Sequence, residues 1–139
     1  MRIAIIDMMF RWPPLGGACV DLKETATRLK RNGFDIDMFV PQIENIWPRG
    51  MIDENVLEFD VHKIKFSLWS FNGMVLPGRI KKAVDKVNPD YVLVCDSLLF
   101  KPHLINVFKN YKVVPRFYSY DFLCPVYGTL LRKVELYLM

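Results

Sequence analysis

Residues 1–41, MRIAIIDMMFRWPPLGGACVDLKETATRLKRNGFDIDMFVP, decide the fold. Arg2-Ile3-Ala4-Ile5-Ile6-Asp7 is a short apolar run without alternation, the pattern of a strand buried on both faces of a parallel sheet. A proline- and glycine-rich loop, MMFRWPPLGG over residues 8–17, follows it. Residues 18–32 then recover helical spacing, with Ala18, Leu22, Thr25, Ala26 and Leu29 at i, i+4, i+7, i+8 and i+11. Gly33 stops the helix, because glycine enters the left-handed conformation beyond a helix end at little cost. Residues 34–40 (FDIDMFV) read as a second strand, closed by Pro41. Strand, helix and strand make a βαβ unit, whose strands run parallel with a right-handed crossover.

Beyond Pro41 the pattern continues less regularly. Trp47-Pro48-Arg49-Gly50 marks a loop within residues 42–55. Residues 56–66 read as one or two strands, with Val56, Leu57 and Phe59 and then Val61, Ile64 and Phe66. Residues 67–78 are apolar without a period and include Trp69, Phe71, Met74, Val75 and Leu76. Core packing is the commoner reason for such a stretch, and a lipid- or partner-facing surface is the other. A helix is expected over 79–87, with Ile80, Ala83, Val84 and Val87 on one face and Asn88-Pro89-Asp90 as its stop. Residues 91–95 (YVLVC) form the clearest strand of the second half, and a helix over 102–109 and a strand over 112–119 follow. This alternation predicts one α/β domain, a doubly wound Rossmann-like parallel sheet of strand order 3-2-1-4-5.

Composition narrows the partners. The 139 residues are 52% hydrophobic and 14% aromatic, enough for a packed domain and unlike a disordered chain. The net charge of +4 is spread over helix faces, so the basic residues read as solvated surface and nucleic acid is not an expected partner. Attraction to an anionic membrane surface stays open as a peripheral contact. Three cysteines without metal-ligand spacing argue against a disulfide framework, and Cys95 reads as inert core. His62 and His103 stand alone, so no metal is expected. The first apolar run stops at Asp7, too short for a signal peptide, and the chain reads as cytoplasmic.

Chemistry is expected at the carboxyl ends of the strands, where open parallel sheets bind ligands. Gly16-Gly17 stands there, at the start of the first helix, where bare glycines admit a ligand to unpaired N–H groups suited to phosphate. Neither G-x-G-x-x-G nor G-x-x-x-x-G-K-[ST] is present, and a plain corner before a helix is the competing reading. Asp96-Ser97 and Tyr120-Asp121 reach the same edge from two other strands. A carboxylate there can orient or deprotonate a ligand hydroxyl and a phenol can hydrogen-bond one, whereas an aspartate in that position can also simply cap the next helix.

Two stretches carry a family resemblance. FRWPPLGGACVDLKETATRLKRNGFDIDMFVP, residues 10–41, resembles the opening of family 4 glycosyltransferases of the GT-B type: a short strand, an aromatic-Pro-Pro-x-Gly-Gly loop, a helix, then Gly-His and a strand ending in proline. Phe34 stands in place of the histidine. VVPRFYSYDFLCP, residues 113–125, resembles the family's strand ending in His-Asp with Cys-Pro soon after; Asp121, Cys124 and Pro125 fit, and Tyr120 replaces the histidine. The resemblance implies a hexosyltransferase-like enzyme moving a sugar from a nucleotide-sugar to a sugar or lipid-linked acceptor, without cofactor or catalytic metal. It makes this chain the N-terminal, acceptor-side domain, with Gly16 and Gly17 facing the donor diphosphate. Asp96, Ser97 and Tyr120 then belong to the acceptor cleft, and Asp121 is the catalytic candidate. The second, donor-binding domain and its Glu-x₇-Glu motif are absent from these residues. Leu130, Leu131, Val134 and Leu138 form an apolar stripe near the end, expected to meet that missing domain, so the sequence reads as a truncated form not expected to act alone. The alternative is a non-catalytic binding or assembly module that keeps the half-fold, a reading favoured by Tyr120.

Overall fold

The computed structural model describes residues 1–43 and 52–118. Five strands form one sheet: β1 (Arg2–Ile6), β2 (Asp35–Ile43), β3 (Asp60–Phe66), β4 (Tyr91–Val94) and β5 (Lys112–Pro115). Their order is β3-β2-β1-β4-β5 and every pairing is parallel. Three α-helices connect them: α1 (Gly17–Arg31), α2 (Leu76–Val84) and α3 (Lys101–Val107). The fold is the Rossmann-like doubly wound sheet that the alternation predicts.

Side-chain alternation along β1 divides the core. Ala4 and Ile6 face a cluster with Leu76, Ile80 and Val84 of α2 and Leu104 of α3. Ile5 faces the opposite cluster, with Leu22 and Ala26 of α1. Among the described residues one helix therefore lies on one face of the sheet and two on the other. That division follows from right-handed crossovers, because the chain moves one way from β1 to β2 and the other way from β3 to β4 and β5. No helix among the described residues is long and apolar enough to cross a membrane.

Local departures from the expected boundaries have physical causes. β2 does not close at Pro41 but runs on to Ile43, with Pro41 in register with Ile64 of β3. The Phe39 carbonyl points toward β1, where it accepts the Asp7 N–H. Pro41, two residues on, therefore turns its missing N–H to the same side, past the last β1–β2 pair at Ile6 and Phe39. Residues 54–56 are a 3₁₀ turn started by the Asp53 carboxylate, which accepts the Asn55 N–H, so only Asp60–Phe66 is strand there. The second helix begins at Leu76, earlier than expected, since Asn72 accepts the N–H groups of Met74 and Val75 through its side chain and that of Leu76 through its carbonyl. Gly33 has φ of 87°, the left-handed stop that its position after α1 requires.

Candidate functional site

The carboxyl edge of the sheet gathers the loops that follow β1, β3, β4 and β5. Gly16 is extended and opens α1, and no side chain caps that helix start. The helix also has no acidic residue in its first turn, while Arg28, Lys30 and Arg31 occupy the last. Its amino end thus keeps its partial positive charge and its unpaired N–H groups. Both glycines are exposed, and a Cβ built on either would meet open space. Neither has a positive φ, so no strained turn demands glycine here. What the pair leaves is an uncovered approach to the first turn of the helix.

The carboxyl group that organises this edge belongs to Asp7, which the sequence reading treats only as the end of the first strand. Its side chain is 3% exposed. Oδ1 accepts the Met9 N–H at 2.7 Å and Oδ2 accepts the Asp96 N–H at 3.1 Å. The Asp96 carbonyl in turn accepts the Met8 N–H at 2.7 Å. Asp7 and Asp96 thereby lock the loop after β1 to the loop after β4. Burial raises the Asp7 carboxyl to about 7, opposed by the N–H groups of Met9 and Asp96 and reinforced by the nearby Asp96 charge. A carboxyl half-protonated near neutrality is a group able to give or take a proton. The sequence signal for it was an acidic residue closing an otherwise apolar run, Arg2-Ile3-Ala4-Ile5-Ile6-Asp7.

Asp96 and Ser97 both lie at this edge, with different exposures. Asp96 is half-buried beside Asp7. Ser97 is fully buried; its hydroxyl donates to the Cys95 carbonyl at 3.3 Å and its own carbonyl accepts the Phe100 N–H. Its hydroxyl thus shapes the loop after β4. Cys95 is buried as well, and burial together with the Asp7 charge pushes its thiol up, as expected of inert core. Tyr120, Asp121, Cys124 and Pro125 lie outside the described residues. The segment leading to them is firmly held: the buried Lys101 ammonium donates to the Arg116 carbonyl at 2.7 Å, and the Arg116 guanidinium reaches Asp21 and Thr25 of α1. The Tyr118 hydroxyl donates to Asp21 at 2.9 Å. Burial, then that bond, raises the Tyr118 phenol well above its ordinary range.

Around these polar groups the loops expose apolar side chains to solvent. Leu15 follows β1, Leu68, Trp69 and Met74 follow β3, Leu99 follows β4 and Phe117 follows β5; all are exposed, Trp69 and Met74 at 90%. The loops after β3 and β4 touch through Phe71 and Phe100, whose rings meet edge-on at 5.6 Å. The stretch over 67–78 therefore divides, with Leu76 in the core, Phe71 packed against it, and Trp69 and Met74 exposed. His62, solitary in sequence, pairs with the Asp37 carboxylate at 2.7 Å and stacks on Phe39. No cluster of three or more metal-ligating side chains occurs among the described residues. Compared with protein-family models, with curated proteins and with solved structures, the chain matches none.

Proposed function

We propose that this chain is the N-terminal, acceptor-side half of a family 4-like glycosyltransferase, in which Gly16 and Gly17 face the diphosphate of a nucleotide-sugar. The observation that carries the reading is the open start of α1. Two exposed glycines leave the first-turn N–H groups uncovered at the carboxyl edge of a 3-2-1-4-5 sheet, where a diphosphate is favoured by both hydrogen bonding and the helix dipole. The rim of exposed Trp69, Met74 and Leu99 supports it further, because such an edge suits closure by a second domain or contact with a lipid-linked acceptor. Asp96 and Asp121 are the carboxylates offered to the acceptor hydroxyl, and the chemistry calls for no metal.

The test is a titration of uridine or guanosine diphosphate into the isotopically labelled chain, followed by amide chemical shifts. Shifts concentrated at Gly17, Ala18 and Asp96 at millimolar ligand are expected. Shifts scattered over basic helix faces, or none, would overturn the diphosphate role. Binding at Gly17 without sugar transfer by the completed two-domain protein would favour the non-catalytic module.

A further inference from the structure

The apolar rim gathers most densely where the loops after β3 and β4 meet. Leu68, Trp69, Met74 and Leu99 stand out from these two loops, and the least exposed of the four, Leu68, is still 63% exposed. The loops touch beneath them. Phe71 meets Phe100 edge-on, and the His103 ring lies so close to Gly73 that a Cβ there would meet Nε2 at 3.3 Å. Large apolar side chains grouped on one tip are costly in water and imply a surface that receives them. The backbone of the tip is already satisfied from within. The Ser67 carbonyl accepts the N–H groups of Ser70 and Phe71 at 3.1 Å. The Asn72 side chain donates to the Trp69 carbonyl at 2.7 Å and accepts the Met74 and Val75 N–H groups at 3.0 Å. Such a loop can leave water without stranding those groups, whereas pairing with another chain's backbone would call for open ones.

The base of the tip is cationic. Between Asp60 and Asp85 the sequence holds Lys63, Lys65, Arg79, Lys81 and Lys82 and no Asp or Glu. Lys63 and Lys81 are taken up by Glu54 and Asp85. Arg79 is exposed at the foot of the loop, its guanidinium 4.6 Å from the centre of the Phe66 ring, and Lys82 is exposed further along α2. An apolar tip over a cationic base matches an anionic bilayer, which offers acyl chains to the one and headgroups to the other. We propose that the tip formed by residues 67–75 and Leu99 docks this chain on an anionic lipid surface, with Trp69 and Met74 at the boundary between headgroups and acyl chains. Docking there holds the carboxyl edge of the sheet beside the bilayer whatever chemistry the edge performs, so the inference is independent of the glycosyltransferase reading.

The test is co-sedimentation of the full chain with vesicles of phosphatidylcholine, alone or mixed with phosphatidylglycerol. Binding to the mixed vesicles is expected, weakened by salt and reduced about tenfold or more when Trp69→Ser and Met74→Ser are combined. Trp69→Phe tests the orientation without removing apolar surface. It should keep the binding and lose most of the quenching of tryptophan emission by bromine-labelled acyl chains. No binding by the parent, equal binding by parent and double variant, or equal quenching in parent and Trp69→Phe would overturn the proposal. So would association between copies without vesicles, abolished by the double variant, which would assign the tip to a protein contact.

Discussion

The main-chain N–H of Asp96 donates to the Asp7 carboxyl across 3.1 Å, tying the end of β4 to the end of β1. The pair sits where the strand order reverses, since β1 has β2 on one side and β4 on the other. A parallel sheet leaves its ligand crevice at that reversal. The shape of the crevice floor therefore depends on one buried carboxyl and the two N–H groups it accepts.

Asp7 should give stability a specific pH dependence. Its folded-state value of about 7 lies above the ordinary 3.8, so between those limits the folded chain holds a proton that the unfolded chain has lost. The resulting stabilisation is complete below about pH 4, falls as pH rises and is gone above about pH 7, amounting to about 4 kcal/mol. Asp85 and Glu58, held below the carboxylate range by Lys81 and Arg31, act with the opposite sign at lower pH. The difference between the parent and Asp7→Asn isolates the Asp7 effect. Urea unfolding from pH 4 to 8 should show the parent losing stability that the variant does not lose. At pH 4 the variant itself should be about 1–3 kcal/mol weaker, because an amide N–H₂ then faces a main-chain donor. Parallel pH curves for the two proteins would remove Asp7 from this role.

Gly17→Val separates a ligand approach from a structural turn. Added atoms meet open space at Gly17 and its φ is not positive, so the variant should unfold within about 1 kcal/mol of the parent. The valine would stand where a diphosphate is proposed to lie. Loss of one or two charge-assisted hydrogen bonds, at about 1.5–3 kcal/mol each, predicts at least a tenfold weaker nucleoside diphosphate. Unchanged titration shifts in a stable variant would return the two glycines to a plain corner.

The fold was legible because its signals are local and repeated. Ile3 to Ile6, the helical spacing from Leu22 to Leu29, and the left-handed stop at Gly33 each determine one element, and a βαβ unit admits one handedness. The site was legible only in part. Asp96 and the two glycines follow from strand ends, but Asp7 needed the loop after β4 to come back to it, 89 residues away. The buried hydroxyl of Ser97 was equally hidden, because exposure of a loop serine depends on how tightly the turn closes. The stretch over 67–78 has no period since it is turn and loop up to Val75 and only then the first turn of α2, and its loop residues face in or out one by one.

That last point makes a direct contrast across the start of α2. Leu76 is fully buried and Met74 is 90% exposed. Leu76→Ala should cost about 2–5 kcal/mol through lost burial and the cavity left behind. Trp69→Ser and Met74→Ser should stay within about 0.5 kcal/mol of the parent in denaturant unfolding. Strong destabilisation by either serine variant would mean that the rim is core, and the case for a covered carboxyl edge would weaken.

The final expectation is that these 139 residues, assayed on their own, do not transfer sugar at a useful rate. Two charge-assisted hydrogen bonds from the α1 start contribute about 3–6 kcal/mol, while association costs about 4–15 kcal/mol in lost freedom and ordering. Binding of a nucleotide-sugar to this edge alone should therefore be weak. Transfer demands more, because the departing diphosphate and the cationic sugar must both be stabilised in a water-poor cleft. The carboxyl edge described here offers one wall, with Asp96 beside the buried Asp7 and an exposed apolar rim. Closure of a second domain is the usual source of the other wall. Nucleoside diphosphate release should be measured with a pool of nucleotide-sugars and with sugar and lipid-linked acceptors. Turnover by the 139-residue chain, abolished by Asp121→Asn with the fold intact, would place the whole catalytic apparatus before Met139 and overturn the half-site reading.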